Sequence, residues 1–239
     1  MSVRIALDRC CSNDAAMDFM KWISSLDEIL YEVMSWLLFF PLTLWQAVAH
    51  PLAMMDYADE QLLLPQEDQY SAALSPPLFL ALSLLLAHSF SMALGQSDTI
   101  VANTRGLSRF VNDQTSELAL RVVVFAGFSL FAATRLVRAR GLPVDRKSLR
   151  NPFYAQCYPT AIFALFLGLA TSLMIIPNPM TMVIGAAMAM ASIVNYIFVQ
   201  VRWFCHNLKI GRTKAFGYVL IVLVESITLL IIVGFLFTR

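Results

Sequence analysis

No Asp, Glu, Lys or Arg occurs between Cys157 and Val201, a run of 45 residues. A bilayer core about 30 Å thick is crossed by about 20 apolar residues in a helix rising about 1.5 Å per residue. The run is therefore long enough for two crossings. Pro177-Asn178-Pro179 stands at its middle, where two prolines flanking an asparagine break a helix and favour a turn. The reading is a tight helical hairpin, Cys157–Ile176 followed by Thr181–Val201.

A second charge-free stretch of 29 residues runs from Gln69 to Ser97. Within it Pro76–Leu94 opens on prolines, which the first turn of a helix accepts because its N–H groups lack intrahelical partners. Leu118–Leu136 carries Arg121 and Arg135 near its two ends, and Phe216–Phe237 carries a single acid, Glu225. With 14% charged residues, 59% hydrophobic residues and a mean hydropathy of +0.68, the chain lacks the polar surface to bury five such helices in water. The expected fold is all-α, a polytopic membrane bundle. Five transmembrane helices (76–94, 118–136, 157–176, 181–201 and 216–237) form a membrane domain over 76–239, preceded by a segment 1–75. A net charge of +1 excludes a strongly basic nucleic-acid binder. The lipid bilayer is the first partner.

Lys and Arg counts orient the bundle. Five spans put Val137–Gln156 with Arg135 at the end of its preceding helix, Arg202–Ala215 and the N-terminal segment on one side, with 13 of the 17 bases. That predicts a cytoplasmic N-terminus and a C-terminus on the opposite side, in the cell (inner) membrane. The first fifteen residues lack the apolar stretch of a signal peptide. From Phe19 to Phe40, apolar residues including Trp22 and Trp36 recur at helical spacing opposite an acidic face, the pattern of an amphipathic helix in the bilayer interface. Packing of that face on the spans is the alternative. Val33–Ala49, which also holds Trp45, is apolar but only 17 residues long and interrupted by Pro41. It is read as a kinked interfacial or re-entrant segment. The first 75 residues hold eleven acids and three bases, so attraction to the basic linkers is expected to hold them against the bundle.

Glu225 is the sharpest chemical feature, because a carboxylate near the middle of an apolar helix is costly and must face the bundle interior or be protonated. Depth along the helices nominates His88 and Asn195 as partners. The site is either a proton or cation site on a transport path or a tie between helices. Ala164, Gly168 and Ser172 recur at four-residue spacing, as do Gly185 and Ala189, a pattern that allows close helix approach in lipid. These stripes serve either internal packing, the reading preferred for a tight hairpin, or a homo-oligomer. No GxSxG, P-loop, HExxH or GxGxxG string is present, and Cys10, Cys11, Cys157 and Cys205 lack zinc spacing. Neither enzymatic activity nor a cofactor nor a metal is expected.

The five-span layout with a cytoplasmic N-terminal region resembles the Yip1 family, over about residues 65–239. Asp68-Gln69-Tyr70 followed by Ser75-Pro76-Pro77-Leu78 is similar to that family's acidic, proline-containing approach to its membrane domain, although the Asp-Leu-Tyr-Gly-Pro string of eukaryotic members is absent. The resemblance implies a membrane-organising or trafficking scaffold with protein partners at the cytoplasmic face, or a permease-type protein as among bacterial relatives. The residues themselves favour a small permease or channel-like protein built around Glu225, with the scaffold as the alternative.

Overall fold

The computed structural model describes residues 27, 29–66, 68–96 and 114–238. These form seven helices and no strand: α1 Ile29–Ala49, α2 Pro51–Gln61, α3 Pro76–Ala93, α4 Gln114–Ala139, α5 Arg146–Ile175, α6 Pro179–Leu208 and α7 Arg212–Thr238. All but α2 are long and apolar enough to cross a membrane.

The α5–α6 hairpin is the spine, with α3 and α4 packed on α5 and α7 lodged between α4 and α6. Its turn falls at the expected Pro-Asn-Pro. Asn178 caps α6, its side chain accepting from the Met180 N–H at 2.9 Å, and Pro179 occupies the first turn. At the other end the helices outrun their apolar stretches. Asp145 and Ser148 form a reciprocal capping box that starts α5 eleven residues before Cys157. Hydrogen bonds from the Ser148 N–H and side chain hold the Asp145 carboxyl below the usual range. α6 continues past Val201 to Leu208, where Lys209 adopts a left-handed φ of 52°. Gly141, at φ 70°, closes α4 by donating to the Arg138 carbonyl. The expected long basic linkers are thus short turns, and most of their bases stand on helix ends.

α1 differs from expectation in one respect: it continues through Pro41 without a break. Pro41 and Leu37, whose carbonyl it leaves without an intrahelical donor, are both on the exposed side. The opposite stripe, Trp36, Phe39, Phe40, Thr43 and Ala47, packs on the bundle. The expected amphipathic helix is described only from its second half, and Trp22 lies outside the described residues.

Leu74, just before α3, joins the N-terminal elements to the spine. Its N–H donates to Thr43 Oγ1 at 3.1 Å, and its carbonyl accepts from the Tyr158 hydroxyl at 2.8 Å. Around this joint Met55, Phe79, Tyr158 and Trp203 are fully buried, with the Phe79 and Tyr158 rings 5.7 Å apart. The joint fixes Thr43 and Tyr158 at one level of the bundle.

Candidate functional site

Glu225 lies on α7 opposite Arg135 of α4. The Arg135 Nε donates to Oε2 at 3.2 Å and an Nη2 hydrogen bond engages Oε1, so both carboxylate oxygens are held by one guanidinium, the strongest pairing geometry these groups have. The side chains remain 26% and 30% exposed. Arg135 stands four residues before the end of α4, whereas Glu225 lies thirteen residues into α7, so the long arginine side chain reaches inward to meet it. The helices meet again where a Cβ on Gly127 would lie 2.7 Å from Leu229.

The expected partners of Glu225 are not assembled around it. His88 is buried on α3, whose neighbours are α5 and α4, whereas α7 packs on α4 and α6. Asn195 is exposed on α6. Depth along a helix carries no information about the angular face a residue occupies. Asn195 precedes the buried Tyr196, and one residue is about 100° of rotation.

The polar residues that do converge lie between α4, α5 and α6. Ser129 donates to Thr160 Oγ1 at 3.0 Å and contacts the Gln156 carbonyl at 3.3 Å. Gln200 Nε2 donates to Gln156 Oε1, and the Tyr196 ring stacks on Phe163 at 4.8 Å. Ser129, Gln156, Thr160, Tyr196 and Gln200 are all buried. Among the described residues Gln156 Nε2 has no hydrogen-bond partner, a costly state in a low-dielectric interior. A signal for this seam was present. In a hairpin folded at Asn178, residues equidistant from the turn face each other. Gln156 and Gln200 are each 22 residues from it, and Thr160 and Tyr196 each 18.

The small residues serve contacts within the chain. A Cβ on Gly168 would come within 2.8 Å of Ala87 on α3, and one on Gly185 within 2.7 Å of the Ala170 carbonyl on α5. Ala164 and Ser172 are buried, the Ser172 carbonyl accepting from Gln96 at 2.8 Å, while Ala189 is half-buried. Trp36 is half-buried against the core and Trp45 is 73% exposed.

At the basic end, the acidic α2 packs on α5 and α6. Burial pushes the Asp59 carboxyl up to about 6, against the opposing pull of the nearby Arg140 guanidinium. Arg140 also donates to Asn207 Oδ1, tying the end of α4 to the end of α6. A cavity of about 770 Å³ is lined by Glu32 and Ser35 of α1 with Gln69, Tyr70, Arg150 and Tyr154. Burial also pushes the Tyr70 hydroxyl well above its ordinary value. Among the described residues no three His, Cys, Asp or Glu side chains cluster as a metal site would require. No family of known proteins, curated sequence or solved structure matches this chain.

Proposed function

We propose that this chain is a non-enzymatic, membrane-embedded scaffold whose Glu225 ties helices together, and that it is not a permease using that carboxylate. The observation that supports this is the engagement of both Glu225 oxygens by Arg135. A carboxylate that loads and unloads a proton or cation must be open to its ligand. Here a fixed cation already neutralises it and engages both of its oxygens. Reconstituted liposomes test the reading: the wild type and Glu225→Gln should both show only the proton leak of empty vesicles. Wild-type flux abolished in Glu225→Gln would overturn it.

The second reading, a small permease, is favoured by the buried amide seam between α4, α5 and α6, which supplies polar groups at membrane depth. It predicts flux that survives in Glu225→Gln and falls in Gln200→Leu.

We further propose five crossings, α3 to α7, with α1 lying in the interface. Support comes from the start of α1, where Glu32 and Ser35 share a cavity with Arg150 and Tyr154 at the polar end of α5, although Val33 and Leu37 also share an apolar groove with Leu82, Leu85 and Leu86 of α3. Charge agrees, since five crossings put 13 of 17 bases on one side and a sixth would reduce this to 10. The resulting orientation, N-terminus cytoplasmic and C-terminus opposite, leaves the surface formed by α2 and the basic helix ends available for protein partners. The Yip1-like layout fits this arrangement.

A further inference from the structure

A separate cavity of about 730 Å³ opens where α2 meets the end of α6 and the start of α7, lined by Leu52, Asp56, Phe198, Arg202, His206 and Arg212 among others. Its chemistry is graded along the bundle axis. Phe198 and Leu52 form an apolar floor, and Phe198 is 57% exposed on the outer face of α6. One turn further out Arg202 lies over the Phe198 ring, its guanidinium carbon 5.4 Å from the centroid. Arg212 adds a second guanidinium beside His206, and Asp56 stands on the α2 side.

We propose that this cavity binds the phosphate of a phospholipid headgroup. Two guanidiniums suit a phosphate diester, whose oxygens accept paired N–H donors. The apolar floor suits the glycerol backbone and first methylenes, which a free phosphate lacks. Asp56 is the one carboxylate among the named lining residues. It would repel a bare anion but accepts hydrogen bonds from a headgroup bearing hydroxyls. With two Arg against one Asp the site carries net positive charge, so the headgroup favoured is phosphatidylglycerol over zwitterionic, donor-free phosphatidylcholine. Basic pockets between membrane helices at the cytoplasmic side recognise anionic lipids in this way.

The test is native mass spectrometry of the purified full chain released from micelles containing equal phosphatidylglycerol and phosphatidylcholine. The wild type should retain phosphatidylglycerol preferentially. Arg202→Gln with Arg212→Gln should reduce that adduct about tenfold without changing phosphatidylcholine retention. Equal retention of the two lipids by the wild type overturns the proposal even if the double variant does not fold. An unchanged adduct in a folded double variant overturns it as well. Displacement of the lipid by millimolar inorganic phosphate would make this a free-phosphate site and refute the lipid assignment.

Discussion

Arg135 on α4 and Glu225 on α7 are 90 residues apart in the chain and joined through both carboxylate oxygens. The pair converts what looks in sequence like an isolated intramembrane acid into a neutral link between two helices. The side chains are about a quarter exposed, and mutual neutralisation lowers the cost of placing two charges among apolar helices.

The amide seam predicts a non-additive pair. Gln156→Leu alone strands the buried Gln200 amide, and the loss should be about 1–3 kcal/mol. Leu at both positions removes both polar groups and should recover most of it. Thermal unfolding in detergent of the two single variants and the double variant measures this directly.

Close approach at α3–α5 predicts a graded glycine series. Gly168→Ala forces a Cβ to 2.8 Å of Ala87, where neither side can rotate away, and should cost about 1–3 kcal/mol. Gly217→Ala meets nothing within 4 Å and should be neutral or slightly stabilising, because alanine favours the helix. The order of the two midpoints is the readout.

Asp59 predicts a pH dependence. Its folded value of about 6 exceeds its ordinary 3.8, so the folded state binds the proton more tightly than the unfolded chain. This group therefore penalises folding at pH 8 and is relieved as pH falls through 6 towards 4. Asp59→Asn should be more stable than wild type at pH 8, by up to about 2 kcal/mol. The difference should shrink at pH 5. Melting curves at the two pH values test the sign.

The interfacial placement of α1 predicts termini on opposite sides of the membrane. Protease-cleavable tags at each end, probed in sealed and opened inverted vesicles, should differ in protection. Tags equally protected would mean that α1 crosses.

Much of this architecture was legible in the gaps between charges, because lipid tolerates so few of them. The gaps located α3, the α5–α6 hairpin and α7, and the Pro-Asn-Pro turn located the fold-back. They underestimated helix length, since a helix continues into polar surroundings wherever capping permits, as at Asp145 and Ser148. The same habit hid the partner of Glu225: Arg135 was counted with the basic linker although α4 carries it inside the bundle. Which helices are neighbours, and which face each turns inward, depends on side-chain packing across the whole bundle. His88 and Asn195 were separated from Glu225 on that ground. The Gln156–Gln200 match needed only the turn position and was readable in principle.

A charge swap tests the link between α4 and α7 most directly. Arg135→Glu and Glu225→Arg should each destabilise the protein by about 2 kcal/mol, through like charges brought together in a low-dielectric setting. The double swap restores opposite charges. Its thermal midpoint should return at least halfway to wild type, a coupling outside the error of additivity. Single variants as stable as wild type, or a double swap no better than the sum of its parts, would contradict the assignment of Glu225 as a helix tie.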